Sequence, residues 1–305
     1  MFEIDRSQQI FHIGKVHLGG QPGELPTVLI GSIFYQRHKI VENAQTGIFD
    51  EGKAEKLINM QEELSEKTGN PHMVDIVGLT PEAIRRYIDF VADITEAPIL
   101  VDSTSADVKI AGIKYAKEVG LLERVIYNSI TYHVKDIEVK ELKETDVDSA
   151  VIMAYNPRNP WPEGRINLLR GDSSRKGLLD VSKNAGIEKI LVDTAILDVP
   201  SIGLAAEAAY LVKKEFGLPS GGGPLNAVLE WKRVKELGNS AETVCSASAA
   251  VAMQYAGADF IFYGPIARAG IIFPAVAMID GIIAYAARRH NTKIKTNTHP
   301  LFKIF

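Results

Sequence analysis

The sequence predicts an α/β protein of the (β/α)8, TIM-barrel class with a short N-terminal extension. Three observations carry this. First, short apolar runs each end on one polar side chain: Ala97-Pro-Ile-Leu-Val-Asp-Ser-Thr104 on Asp102, Arg124-Val-Ile-Tyr-Asn-Ser129 on Asn128, and Lys189-Ile-Leu-Val-Asp-Thr194 on Asp193. Apolar runs of this length between helical patterns read as strands buried on both faces of a parallel sheet. Second, eight strand candidates alternate with about eight helices, roughly 30 residues apart, over a chain of 305 residues. Third, no glycine-rich phosphate loop follows the first strand, whose exit reads Gly31-Ser-Ile-Phe-Tyr35. That argues against the alternative, a doubly wound open sheet. The reading is one domain over residues 1–305, with residues 1–25 as the extension.

Residues Met1 to Gly23 carry Ile10, Phe11, Ile13, Val16 and Leu18, punctuated by Gly14, Gly19 and Gly20, as in a hairpin or flap closing the barrel bottom. Pro26 to Phe34 is the first core strand. A mostly polar segment from Tyr35 to Gly52 follows, with Arg37, His38 and Lys39 near the strand exit. The spacing of Leu57, Ile58 and Leu64 predicts a helix over Glu55 to Thr68, stopped by Gly69, Asn70 and Pro71. His72 to Val77 is strand two, and Thr80 and Pro81 form a helix start as N-cap and first turn. Strand three ends at Asp102, with a helix from Ala106 to Val119; strand four ends at Asn128, with a helix around Val134 to Glu144. Strand five is Ser149 to Tyr155. The three prolines between Asn156 and Gly164 predict a loop on the strand-exit face. A helix over Arg175 to Asn184 precedes strand six, which ends at Asp193, and Gly203 to Phe216 is helical. Strand seven is Leu218 to Gly223, followed through Pro224 by helices near Asn226 to Leu237 and over Ala241 to Ala256. Strand eight is Asp259 to Tyr263, and a helix over Phe273 to Arg289 closes the barrel.

Composition narrows the function. The net charge of −4 argues against a nucleic-acid binder, which would show a basic face. The single cysteine, Cys245, excludes an internal disulfide, and the opening Met1 to Arg6 lacks a secretory pattern, so a cytoplasmic location is expected. The segment Ile271 to Ala287 is interrupted by Pro274 and Asp280 and reads as a buried helix rather than a membrane span. It is nonetheless more apolar than one inward stripe requires, which predicts a homodimer.

On a barrel, strand exits converge on one mouth, where ligands bind. In chain order these exits are Ser32, Asp75, Asp102, Asn128, Tyr155 with Asn156, Asp193, the Ser220 to Asn226 turn, and Tyr263. The set is rich in carboxylates and amides and poor in bases. No His-x-Glu, His-x-His or Cys-x-x-Cys spacing marks a metal site, and no Ser-His-Asp arrangement or activated cysteine is present. Such a mouth suits a planar heterocycle with several N–H donors: an aspartate accepts two N–H bonds from an amino-pyrimidinone edge, and an asparagine both donates and accepts. A plainer role stands beside this one, because Asp102 could instead cap the helix that follows it. Asp75 is equally open to either reading. The Gly221-Gly-Gly-Pro224 turn could be a tight turn or a place of close ligand approach.

Val101-Asp-Ser-Thr104, Tyr127-Asn-Ser129 and Val192-Asp-Thr194 resemble the pterin-binding signature of barrel methyltransferases and dihydropteroate synthase. Gly19-Gly-Gln-Pro-Gly-Glu24, Ile30-Gly-Ser-Ile-Phe-Tyr35, His38-Lys-Ile-Val41 and Gly47-Ile-Phe-Asp50 are more specific. With them the chain resembles the H-subunit family of tetrahydromethanopterin S-methyltransferase and its bacterial relatives acting on tetrahydrofolate. The resemblance implies an enzyme that moves a methyl group between N5 of a tetrahydropterin and the cobalt of a corrinoid held by a partner protein. The pterin would be tetrahydrofolate or tetrahydromethanopterin, and association with a membrane methyltransferase complex is among the implied partnerships. It implies Asp102, Asn128 and Asp193 as pterin contacts, and Asn226 as the asparagine facing N5. Ser32, Asp75, Tyr155 and Ser220 complete the expected binding set, with Asn226 and Asp193 nearest the chemistry and no metal ligands. Two other readings are a condensing enzyme like dihydropteroate synthase, using Arg268 for a pyrophosphate, and a non-catalytic docking subunit for a corrinoid protein.

Overall fold

The computed structural model describes residues 3–238 and 240–305. Eight parallel strands close into a barrel: Val28–Ile33, His72–Val77, Ile99–Asp102, Val125–Ile130, Ser149–Met153, Lys189–Asp193, Ser220–Gly222 and Phe260–Pro265. Each pairs with its neighbours in sequence, and Phe260–Pro265 pairs with Val28–Ile33 to complete the ring. All eight expected strands are present, the glycine-built seventh included.

The extension is the expected hairpin, Ile10–Ile13 against Val16–Gly19. It carries Ile13, Val16 and Leu18 onto the barrel floor, where they pack with Val28, Ile30, Met73, Leu100, Ile126, Val151, Leu191 and Phe260. Side chains alternate along a strand, so the next inward residue lies two positions on. From the floor residues Ile30, Met73, Leu100, Ile126, Val151 and Leu191, two steps lead to Ser32, Asp75, Asp102, Asn128, Met153 and Asp193. One dry layer therefore supports one mostly polar layer above it. The intervening outward residues, such as Val74, Val101, Tyr127 and Val192, pack under the helices.

Local chemistry sets most helix ends. Asp50 accepts from the Lys53 amide at 3.0 Å, so the first helix begins at Glu51 rather than at the expected Glu55. Thr80 caps Pro81–Ile94 as expected. Within the polar Tyr35 to Gly52 segment, a small hairpin forms between Val41–Asn43 and Ile48–Phe49, because Phe49 is anchored on Phe34 and Phe90. The proline-rich stretch is only partly a loop. A helix runs over Pro162–Arg170, since a proline in the first turn sacrifices no helical hydrogen bond. The next helix accordingly starts at Leu178 instead of Arg175. After strand seven the α-helix Pro224–Glu230 gives way to a 3-10 turn over Lys232–Leu237.

The last long helix is Ala269–Ala287, starting ahead of the expected Phe273 and carrying Pro274 on its exposed side. With its flanking turns, Ile266–His290 is long and apolar enough to cross a membrane, at a mean hydropathy of 1.8. Ile272, Phe273, Val276, Ala277 and Ile283 are buried against the barrel, in keeping with a packed barrel helix.

Candidate functional site

The strand exits surround a cavity of about 540 Å³, a size suited to a small organic ligand. Seven of the eight expected residues line it: Ser32, Asp75, Asp102, Asn128, Tyr155, Asp193 and Asn226. Ser220 does not. Its hydroxyl donates to the Ala209 carbonyl at 2.9 Å, turned outward under the helix Ser201–Phe216. Tyr263 is likewise on the outer side, packed edge-on to Phe273 with its ring buried. Phe262, one residue earlier, takes the inward place. Asn156 folds back locally, accepting from the Arg158 amide at 3.0 Å.

Asp75 is the hub of the polar layer. It accepts from Ser32 Oγ at 2.7 Å and from Asn128 Nδ2 at 3.1 Å. Burial raises its pKa to about 6, although both hydrogen bonds pull it down. Asp102 is pushed well above the usual carboxylate range, first by burial and then by the charge of Asp75. It does not cap the following helix, which starts from Ser105 without a side-chain cap. Asp193 is raised to about 6 by burial; the Ala195 amide, donating at 2.8 Å, and the charge of Arg165 oppose that shift. The turn holding Asp193 puts Ala195 at a positive φ of 54°, a strained conformation for a residue with a side chain. At neutral pH this layer combines acceptor carboxylates with a carboxyl inclined to keep its proton. A ring edge that presents both donors and acceptors is matched on each side.

Two buried cations support the layer. Lys109 donates to the Ser129 carbonyl at 2.7 Å and lies 4.5 Å from the centre of the Tyr127 ring. Arg165, in the helix Pro162–Arg170, is fully buried, and none of its three guanidinium nitrogens has a hydrogen-bond partner among the described residues. Burial lowers its pKa, while the charges of Asp193 and Tyr155 raise it. An unpaired guanidinium is costly in a protein interior, and the neighbouring Asp193 carboxylate is the charge that offsets it.

In strand seven Gly221 is glycine because nothing larger fits: a Cβ there would lie 2.1 Å from the Phe260 carbonyl oxygen. Strand eight slips register between Phe262 and Gly264. Gly264 then takes a φ of +71°, and Asn226 Oδ1 sits 2.4 Å from where its Cβ would be. The bulge thus leaves the space in which the Asn226 amide lies. Sequence reasoning missed Tyr35, Met153, Leu197, Glu230 and Phe262 in the lining. The two-residue step from the floor would have found Met153, and the helical repeat from Asn226 would have found Glu230.

A family model described as tetrahydromethanopterin S-methyltransferase MtrH subunit matches residues 6–295. The H subunit of that enzyme from Methanothermobacter marburgensis is 42% identical over 310 residues, covering 100% of both chains. Its counterpart from Methanopyrus kandleri is 45% identical, covering 97% of each. The H subunit of the putative methyltransferase mtx from Methanosarcina mazei is 41% identical, covering 94% of each. Among solved structures, dihydropteroate synthase of Xanthomonas albilineans superposes with a TM-score of 0.58 at 14% identity, covering 93% of this chain and 99% of that one. The Yersinia pestis synthase gives the same score and identity over 90% and 99%; at such identity the likeness concerns the barrel fold alone. With a full-length match to the one and only a shared barrel with the other, the chain belongs to the MtrH subunit family of tetrahydromethanopterin S-methyltransferase.

Proposed function

We propose that this chain is the pterin-handling methyltransferase, moving a methyl group between N5 of a tetrahydropterin and the cobalt of a corrinoid carried by a separate protein. The observation that supports it most is the ring of Asp75, Asp102, Asn128 and Asp193 over one dry floor, in a chain of this family. Tetrahydromethanopterin is the pterin in the relatives' names; tetrahydrofolate shares the ring edge that these side chains would read. The N5–CH3 bond breaks, its electron pair stays on N5, and the methyl carbon bonds to cobalt. An N-methyl amine is a poor methyl donor because its leaving group is a strong base. Hydrogen bonding or protonation at N5 lowers that barrier. The nucleophile arrives on another protein, so this chain's work is to position the ring and polarise N5. A reading as a pyrophosphate-releasing condensing enzyme has less support, because Arg268 is ion-paired with Glu242.

Calorimetric titration with both reduced pterins tests the proposal, followed by single-turnover transfer to a Co(I) corrinoid protein. Absence of binding by either pterin would sink it. Because Asp193 must accept N–H bonds as a carboxylate, affinity should be steady above pH 7 and fall by up to about tenfold per unit below the group's pKa of about 6. A flat profile from about pH 5 to 8 would remove Asp193 from the contact set.

Gly264→Ala adds a methyl against Asn226 Oδ1 at 2.4 Å, on a backbone with φ of +71°. The left-handed backbone costs about 1–2 kcal/mol of folding stability, readable as a lower denaturation midpoint. Displacing the amide should also reduce the transfer rate by up to ~10²-fold, with pterin affinity nearly kept.

The same reading includes a homodimer. Met278, Ile282 and Tyr285 are 47%, 42% and 66% exposed along the last long helix, and Phe302 and Phe305 of the tail are also exposed. Light scattering should give twice 33.4 kDa at micromolar concentration; the monomer mass would reject it.

A further inference from the structure

A second cavity of about 370 Å³ opens beside the mouth and shares Leu197 and Glu230 with it. Its other walls are largely apolar: Val199, Pro200, Ala227 and Trp231. The one further carboxylate, Asp198, accepts from the Ser201 amide at 2.9 Å, while Ser201 Oγ accepts from the Leu197 and Asp198 amides at 3.0 Å each. That wall is a closed turn, set before any ligand arrives. The opposite wall is the helix Pro224–Glu230. Residues four apart share a helix face, so Asn226 and Glu230 both look into the mouth, whereas Ala227 and Trp231, the cap residue after the helix, line the groove.

From the mouth outward the order is therefore a polar layer, an acceptor carboxylate at Glu230, and an apolar slot ending on an indole. We propose that the slot holds the aryl ring of the substrate's side chain, with Glu230 accepting the N–H of the arylamine link. This rests on the pterin reading of the mouth with N5 towards Asn226. The carbon next to N5 carries one bridging carbon, then an N–H, then the aryl ring, in both tetrahydrofolate and tetrahydromethanopterin. One helical turn, about 5.4 Å, separates Asn226 from Glu230, and both side chains line the mouth, where they can reach two nitrogens that lie only three bonds apart. Beyond it the planar ring meets Pro200 and Trp231, a pairing that excludes water without asking for polar groups.

The test uses three ligands of increasing length on the parent protein: 6-methyltetrahydropterin, tetrahydropteroate and tetrahydrofolate. Affinity should rise about tenfold or more at tetrahydropteroate, the first ligand with an aryl ring, and change little at tetrahydrofolate. Trp231→Ala and Glu230→Ala should each remove most of that gain, leaving the affinity for 6-methyltetrahydropterin as in the parent. Unchanged binding of that short ligand also shows that the variants are folded. Equal affinity for all three ligands in the parent would overturn the slot while leaving the pterin site standing. So would a gain that survives in Trp231→Ala. If none of the three binds, the reading of the mouth itself fails and the slot fails with it.

Discussion

Replacing Asp193 with alanine is expected to weaken tetrahydropterin binding by roughly 10²-fold while the barrel stays folded. In the proposed complex the carboxylate accepts two N–H bonds from the pterin edge. Without it both donors are buried unpaired, at on the order of 1–3 kcal/mol each. Apart from the charge it sets beside Arg165, the fold makes little use of the group. Among the described residues its one side-chain hydrogen bond is the local one from the Ala195 amide at 2.8 Å. Its pKa is about 6 in the folded protein against an ordinary 3.8. A carboxyl raised in this way contributes most to folding below the ordinary value and loses that contribution as pH rises through about 6. At neutral pH, then, the pterin-free alanine variant should melt no lower than the parent. Arg165 is the qualification, because the variant leaves its buried guanidinium without the nearby charge. Asp193→Asn keeps a carbonyl acceptor of similar shape and separates the two effects. Unchanged pterin affinity in the folded alanine variant would take Asp193 out of the site.

The barrel was legible because its strands are buried on both faces, leaving continuous apolar runs that break only at the mouth. The same feature made Asp102, Asn128 and Asp193 visible, since a polar residue at the end of such a run is out of character with its neighbours. Legibility failed where that contrast disappears. In Phe260-Ile-Phe-Tyr263 both faces are apolar, so nothing distinguishes the inward Phe262 from the outward Tyr263. In Ser220-Gly-Gly222 two of three residues have no side chain, and Ser220 was assigned to the wrong side. The prolines before Glu163 concealed the helix that carries Arg165, because Pro162 opens that helix instead of blocking it. The bulge at Gly264, which decides where the Asn226 amide rests, arises from pairing with the first strand. A pairing slip of that kind leaves no pattern in local sequence.

Those two facts, an amide with room made for it and a carboxylate layer behind it, assign different tasks to Asn226 and to the aspartates. In the proposed complex the aspartates hold a ring edge that does not change during the reaction. Asn226 lies on the helix after strand seven, exposed at the same mouth. N5 becomes a stronger hydrogen-bond partner as the methyl leaves and the nitrogen gains its proton. An interaction that grows toward the transition state lowers the barrier without tightening substrate binding. Asn226→Ala should therefore reduce the methyl-transfer rate by about 10²-fold or more while raising the pterin KM only slightly. Single-turnover kinetics with excess corrinoid protein and varied methyl-pterin separates the two. A parent-like rate at saturating pterin would make Asn226 a turn residue after the Gly221 to Pro224 segment. The partner of N5 would then have to be Asp75 or Tyr155, which line the same cavity.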